Sequence, residues 1–366
     1  MRYHRHTGEH MRSILHKEGP MSTLHDVALA AGVSDSTVSR ALRGMDTVRP
    51  KTRQRVAEAA KQLGFTLTRS ASSLASGKTM RVVILFDGPV NAWFNANCLQ
   101  GALEVLAPEG YDLVPVIAMT RPELEDFFAK LPGSGNNMDG LILPSFLLED
   151  SYSQALTSLH IPAVALDTSS TTQLPASIVL DNKGAMYDAV RFLHGLGHRR
   201  IGYVEHPSPA PFESSSHLRE RYFLEAAKRM GYADGDVTVF PKQSLVERMP
   251  IDEATAEITG RIVSSPNRPT AICVEIDEAA FDIMQRLRAL GIRVPQDMSV
   301  VGFDDHEAAA LADLTTIHQD PQLMARAAAQ KLLTMMRGGT LDEPSTTFRT
   351  TLIPRGSTAP PPQDRP

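Results

Sequence analysis

Thr23-Leu-His-Asp26-Val27-Ala28-Leu-Ala-Ala31-Gly32-Val33-Ser34-Asp35-Ser36-Thr37-Val38-Ser39-Arg40-Ala41-Leu42 is the stretch from which the rest of the chain can be read. Thr23 and Asp26 have the spacing of a capping box, in which each side chain satisfies a free amide at a helix start. Leu24, Val27, Ala28 and Ala31 then recur at i, i+3, i+4 and i+7, so a first helix with one buried face is predicted. Gly32 suits the left-handed position that ends a helix, and Val33 fills the turn. Ser34 caps a second helix from Asp35 to about Arg43, with Val38, Ala41 and Leu42 inward and Asp35, Ser36, Ser39 and Arg40 outward. Pro50 opens a third helix where a missing amide does no harm. Val56, Ala59, Ala60 and Leu63 form its apolar face, and Gly64 stops it. Three short helices around a tight Ala-Gly-Val turn make a helix-turn-helix, whose second helix presents its first residues to the DNA major groove.

Charge supports this reading once the chain is divided. The 366 residues carry a net charge of −5 as a whole. Between Thr23 and Lys78, however, nine Lys/Arg face four Asp/Glu, a surplus of five positive charges, and residues 79–366 hold a net −12. A basic head followed by an acidic body is the distribution expected when one part must neutralise phosphates and the other must not. Two cysteines, Cys98 and Cys273, are too few for a disulfide framework or a zinc cage and suggest a reducing cytoplasm. No apolar run approaches the roughly 20 residues of a membrane span, and no signal peptide is read at the start. Residues 1–22, with four histidines but no cysteine pair, are expected to be a disordered extension or to precede the true start.

The quoted stretch, with its Asp-Val-Ala, Ala-Gly-Val-Ser and Thr-Val-Ser-Arg segments, resembles the DNA-binding head of the lactose-repressor (LacI/GalR) family. By that resemblance Asp35, Ser36 and Arg40 read bases, and Thr23, Ser34, Thr37 and Ser39 bond to phosphates or bases. The forked donors of Arg40 suit guanine O6 and N7. Asp35 is open to two readings: acceptor from a cytosine amine, or a helix N-terminal charge favoured by the helix dipole. Arg49 stands where the family often has a Ser capping the third helix, so either that cap is weaker or Arg49 contacts phosphate. The segment Thr68-Arg-Ser-Ala-Ser-Ser-Leu-Ala-Ser-Gly77 is too short and Ser-rich to stay helical alone. It resembles the family's hinge helix, with Arg69 on DNA and Leu74 as the apolar wedge in the minor groove.

From Arg81 onward short apolar runs alternate with helix-length stretches. Strands are expected at 82–86, 113–117, 140–143, 163–166, 201–204, 271–274 and 299–301, and helices include 96–106, 183–196, 216–230 and 278–290. This is the signature of βαβ units and a parallel sheet, and the length allows two lobes, with ligand at the carboxyl ends of the strands. The stretches Asp139-Gly-Leu-Ile-Leu, Leu196-Gly-His-Arg-Arg-Ile-Gly202, Leu290-Gly-Ile-Arg-Val-Pro295 and Val300-Val-Gly-Phe-Asp-Asp305 are similar to the family's effector domain, itself like periplasmic sugar-binding proteins.

The resemblance places Arg219, Asp277 and Asp304 at effector-binding positions. Arg219 could instead be an exposed helix arginine, and Asp304 a loop-capping acid. Ile276 stands where the family usually has Asn, and an isoleucine cannot bond a sugar hydroxyl. Trp93, the only tryptophan, and Phe94 follow the first strand, where Trp93 either stacks on a ligand ring or packs in a loop.

The expected fold class is thus an N-terminal all-α helix-turn-helix head plus an α/β two-lobed, periplasmic-binding-protein-like body with parallel sheets. The expected division is an extension at 1–22, the head at 23–67, the hinge at 68–78, the effector and dimerisation body at 79–354 and a disordered tail at 355–366. The function implied is a cytoplasmic, homodimeric, sequence-specific transcription regulator, a repressor in the first reading with activation left open. Its expected partners are double-stranded operator DNA and a small effector, a sugar or sugar derivative, with no cofactor, metal or membrane. An enzyme is the rival class, but no Gly-x-Ser-x-Gly elbow, phosphate loop or His-Glu-x-x-His pair occurs. An architectural DNA-bending protein is a third, disfavoured by the long body.

Overall fold

The computed structural model describes residues 22–42, 48–65, 78–131, 138–206, 212, 214–240 and 251–362. It divides into two compact units, Met1–Thr79 and Met80–Pro366. Arg69, Leu74 and most of the expected hinge and N-terminal extension lie outside the described residues.

The first unit contains α1 (Leu24–Ala31), α2 (Asp35–Leu42) and α3 (Pro50–Gln62). The capping box forms as read: the Asp26 amide donates to Thr23 Oγ1 at 3.2 Å, and the Thr23 amide donates to Asp26 Oδ2 at 2.7 Å. Gly32 takes φ 61°, a left-handed conformation that glycine adopts without a Cβ penalty, so α2 can start three residues on. Val27, Ala28, Ala31, Val38, Ala41, Val48, Val56, Ala59 and Ala60 form the core. Small residues dominate it because three short helices meet closely. Arg49 precedes α3 with no side-chain cap bond, so α3 relies on Pro50 for its start.

The second unit holds two six-stranded sheets. In the first lobe the order is β11-β5-β4-β3-β1-β2, all parallel. Its strands are β1 (Arg81–Phe86), β2 (Asp112–Ile117), β3 (Gly140–Pro144), β4 (Ala163–Leu166), β5 (Ala176–Leu180) and β11 (Ser345–Phe348). The second lobe is β12-β10-β9-β8-β6-β7, with only β12 antiparallel. It uses β6 (Ile201–Val204), β7 (Val237–Phe240), β8 (Ala271–Val274), β9 (Ser299–Asp304), β10 (Thr315–His318) and β12 (Thr351–Ile353). Central strands are apolar throughout because helices cover both faces, as parallel sheets require.

The helices are α4 (Trp93–Leu106), α5 (Arg121–Lys130), α6 (Asp150–Ser158), α7 (Asn182–Gly195), α8 (His217–Arg229), α9 (Ile251–Ser264), α10 (Asp277–Ala289) and α11 (Pro321–Met336). α11 returns to the first lobe, packing on β3, β4, β5 and α4. At Gly101 of α4 a Cβ would lie 2.1 Å from the Gln322 carbonyl oxygen, so the closeness of these two helices depends on glycine. The chain therefore passes between lobes three times: after Leu180, after His318 and between Phe348 and Thr351. These crossings are neighbours, since Phe348 pairs with Leu180 and Thr351 with His318. Three adjacent strands of this kind form a hinge at one edge of a cleft.

The expected tail requires correction. Rather than leaving the surface at residue 355, the chain is sewn into the second lobe. Arg355 donates to the Leu314 carbonyl and to Asp305 Oδ1, and Ser357 Oγ donates to the Val300 carbonyl at 2.6 Å. The Ala359 carbonyl lies 3.0 Å from Nε2 of the fully buried His198, whose Nδ1 meets Thr270 Oγ1 at 2.8 Å. Low hydrophobicity suggested disorder, but this segment is held by hydrogen bonds to polar atoms at the edge of β9 and β10.

Candidate DNA-reading face and interlobe cleft

In the head, Asp35, Ser36 and Arg40 are exposed on one side of α2, and Ser39 beside them is half-buried. Ser34 Oγ lies 3.0 Å from Ser36 Oγ and 2.9 Å from Thr37 Oγ1, and the Thr37 amide donates to it at 3.3 Å. This hydroxyl cluster crowns the N-terminus of α2, where free amides and the helix dipole favour a phosphate. Arg40 lies back along the helix, its Nε donating to the Ser36 carbonyl at 3.1 Å and its Nη2 to Ser36 Oγ at 3.2 Å. Reaching a base edge costs it only two exposed bonds. Asp35 pairs with His25 Nδ1 at 3.1 Å, a partner from α1 that neither sequence reading of Asp35 included. Thr23 is exposed, but its hydroxyl is committed to the cap.

In the body, a cavity of about 190 Å³ opens between the lobes at the carboxyl ends of the strands. Arg219, on α8, is 3% exposed and anchors it. Its Nε donates to Asn182 Oδ1 at 3.0 Å and its Nη1 to the Glu275 carbonyl at 2.7 Å, while the guanidinium sits 3.5 Å over the Phe303 ring. Two carboxylates from opposite lobes flank this charge. Asp167 follows β4 and accepts from Ser215 Oγ at 2.6 Å. Asp304 ends β9 and accepts from Gln319 Nε2 at 2.6 Å. Burial pushes the Asp167 carboxyl above its ordinary range, and Asp304 well above it, with the Arg219 charge opposing the rise in both.

Ser145, Asp167 and Asp304, all lining the cavity at strand ends, adopt φ 70°, 51° and 124°. Non-glycine residues in this region are strained, and such strain concentrates where side chains are aimed at a ligand. Trp93 opens α4 at the rim. It donates from Nε1 to Glu307 Oε2 of the second lobe at 2.9 Å, with its ring 5.9 Å from that of His306. Phe94 also lines the cavity.

Asp277 departs from its expected place. It is fully buried and does not line the cavity. Its carboxylate accepts from Thr316 Oγ1 at 2.7 Å and from the His306 amide at 2.9 Å, tying α10 to β10 and to the loop after β9. A Cβ on Gly302 would lie 2.0 Å from Asp277 Oδ1, so glycine at that position makes the room. Burial raises Asp277 to about 7.

Sequence reasoning did not select Asp167, Ser215 or Gln319 as ligand-facing residues. For Asp167 the signal was present, an acid directly after an expected strand, as at Asp304. Ser215 acquires its role only through a long-range approach to Asp167. Among the described residues no cluster of His, Cys, Asp or Glu could hold a metal ion, and no helix is long and apolar enough to cross a membrane.

A helix-turn-helix unit followed by a two-lobed, hinged α/β body defines the class of bacterial DNA-binding regulators. Comparison with known proteins agrees. Residues 23–67 match "Bacterial regulatory proteins, lacI family", and residues 190–358 match "Periplasmic binding protein-like domain". The chain is 29% identical over 352 residues to the HTH-type transcriptional repressor CytR of Escherichia coli strain K12, covering 93% of this chain and 98% of that protein. Its fold is similar to that of the lac repressor dimer bound to operator and the anti-inducer ONPF (TM-score 0.76, 24% identity, 92% and 99% covered). It is also similar to the transcriptional regulator CelR in complex with cellobiose (TM-score 0.65, 26% identity, 92% and 99% covered). Residues 23–67 thus carry a lacI-family DNA-binding domain and residues 190–358 a periplasmic-binding-protein-like domain, and along most of its length the chain is similar to transcriptional repressors with this arrangement.

Proposed function

We propose that this chain is a homodimeric, cytoplasmic repressor whose hold on a near-palindromic operator is set by a small carbohydrate-type effector in the interlobe cleft. The observation that carries this reading is the meeting of Asp167 from one lobe and Asp304 from the other around Arg219 in a single buried cavity. A ligand there touches both lobes at once and so binds the closed arrangement better than an open one, which is the only way it can shift the equilibrium. The cavity is smaller than the about 300–1,000 Å³ of drug-sized sites, which suits a monosaccharide-sized molecule. In the head, Arg40, Ser36 and Asp35 read bases, while Ser34, Thr37, Ser39 and Thr23 set the backbone register. Arg69 and Leu74 act in the minor groove between two copies, where Leu74 kinks the central step.

Selection of binding sites from a random DNA pool, using full-length protein at fixed salt, tests the reading. A pseudo-palindrome with a flexible central step is expected. Recovery without sequence preference, in both the presence and absence of a metabolite mixture, rejects it.

A further inference from the structure

The turn that leaves β9 begins with two strained residues in a row. Asp304 and Asp305 both carry a Cβ, yet take φ 124° and 58°. Such a pair persists only where its surroundings over-determine it. The Asp305 amide is held loosely, donating to Thr316 Oγ1 at 3.3 Å. Its side chain is gripped from two directions: Arg355 Nη2 donates to Oδ1 at 2.6 Å, and His318 Nδ1 lies 3.1 Å from Oδ2. The Arg355 and Asp305 side chains are 18% and 19% exposed, against 47% for His318, so the better-shielded arginine gives the firmer hold. Arg355 is itself fixed, with Nη1 donating to the Leu314 carbonyl and its amide to Thr315 Oγ1, both at 2.8 Å. A planar guanidinium with one arm on a carbonyl and the other on a carboxylate sets direction as well as distance.

The residues on either side of Asp305 face the cleft. Asp304, just before it, lines the cavity and accepts from Gln319 Nε2. Just after it, His306 lies beside the Trp93 ring, and Glu307 accepts from Trp93 Nε1 at the start of α4 in the first lobe. Neither Arg355 nor His318 lines the cavity, so each acts on it only through the turn.

We infer that Arg355 is a positioning residue for the cleft: through Asp305 it fixes the turn 304–307, which aims Asp304 into the cavity and carries Glu307 to Trp93. The C-terminal segment thereby sets the geometry of a site it does not touch. That the turn serves a ligand rests on the effector reading above; the hold of Arg355 on the turn does not. The plainer alternative is that the pair only fastens the C-terminal segment to the second lobe.

Trp93 is the only tryptophan, so its emission reports the far end of the turn. The full-length protein is compared with Arg355→Met, Arg355→Lys, Asp305→Asn and Ser357→Ala, all free of DNA and ligand. Emission maximum, quenching by acrylamide and melting temperature are read for each. Arg355→Met is expected to shift the emission to the red and raise the quenching, as Trp93 loses Glu307 and His306. Arg355→Lys keeps a cation within reach of Asp305 but loses the Leu314 bond, so it should melt lower with the parent's emission. Asparagine tolerates the left-handed angle, so Asp305→Asn weakens the grip without adding backbone strain. It is expected to shift the emission as Arg355→Met does, and it carries the test should that variant fail to fold. Ser357→Ala removes bonds to the Val300 carbonyl and from the Thr315 amide in the same segment, and should melt lower with the parent's emission. Parent-like emission in the folded Arg355→Met or Asp305→Asn protein overturns the inference. An equal red shift in Ser357→Ala also overturns it, since the pair would then only fasten the segment. Neither result bears on operator selection, which tests the regulator reading separately.

Discussion

The head and the cleft solve the problem of placing polar side chains in opposite ways. In the head, every described residue of the reading face from Ser34 to Arg40 lies within two turns of one helix, and the face is exposed. In the cleft, Asp167, Arg219 and Asp304 come from three separate elements in two lobes and are buried. The exposed set can afford loosely held side chains such as Arg40, because DNA supplies the partners. The buried set must carry its own compensation, and Arg219 supplies most of it.

The contrast is most sharply tested at its two arginines. Arg219→Met removes the charge that opposes the rise of Asp167 and Asp304 and leaves the buried Asn182 Oδ1 and Glu275 carbonyl without their donor, at a cost of about 1–3 kcal/mol for each unsatisfied group. Urea unfolding of the body is expected to show that loss, with the unfolding of the head unchanged. A loss below about 1 kcal/mol would mean that the bonds of Arg219 to Asn182 and Glu275 add little to the body's stability. Arg40→Ala should leave stability almost untouched. Its expected effect is about 2 kcal/mol of operator affinity with little change on non-specific DNA, measured by titration against both. Equal losses on the two DNAs would place Arg40 on phosphate instead.

Acidity separates the two regions by sign. Asp277 is raised to about 7, so its protonation favours the folded body below the ordinary carboxylate range, and that contribution fades as pH rises through about 7. Calorimetry should find the body melting higher at pH 6 than at pH 8, with the slope flattened in Asp277→Asn. Asp26 in the head is lowered by its bonds to Thr23, so it stabilises above the ordinary carboxylate range and that contribution is lost as pH falls through its depressed value. The head should therefore weaken as acidification protonates Asp26, in the direction opposite to the effect of Asp277 on the body. The smallest effect expected is that of Thr23→Ala, about 1 kcal/mol from the lost cap, read as a lower melting temperature of the head. A shift in the body's transition would show that the two units do not unfold independently.

The legible parts of the molecule share one property. Capping box, left-handed Gly32, the apolar face of α1 and the Pro50 start of α3 are all decided within a few residues, and all are found in the structure. Buried parallel strands such as β1 and β8 were equally plain, being short apolar runs. The strands missed, β5, β7, β10, β11 and β12, include edges and crossings. The half-exposed edge strands β7, β11 and β12 carry polar residues that a sequence cannot distinguish from loop, and their pairing is set by a neighbour far away in the chain. Asp277 and the tail from Arg355 were misplaced for the same reason. Whether an acid faces a ligand or a threonine, and whether a polar segment packs, depends on what arrives opposite it.

The amino-acid sequence by itself determined the helix-turn-helix, the basic head and acidic body, and the alternation that makes a parallel α/β unit, whereas Arg219 and Asp304 came forward as ligand candidates only through the family resemblance. It could do so because capping, periodicity and charge act over one or two turns. Only the tertiary structure decided that Asp167 joins Asp304 across the cleft, that Asp277 turns away from it, and that Arg355 to Ala359 belongs to the second lobe. Those outcomes rest on hydrogen bonds between residues some 30 to 160 positions apart, and no local pattern encodes which of two distant polar groups will be brought within 3 Å.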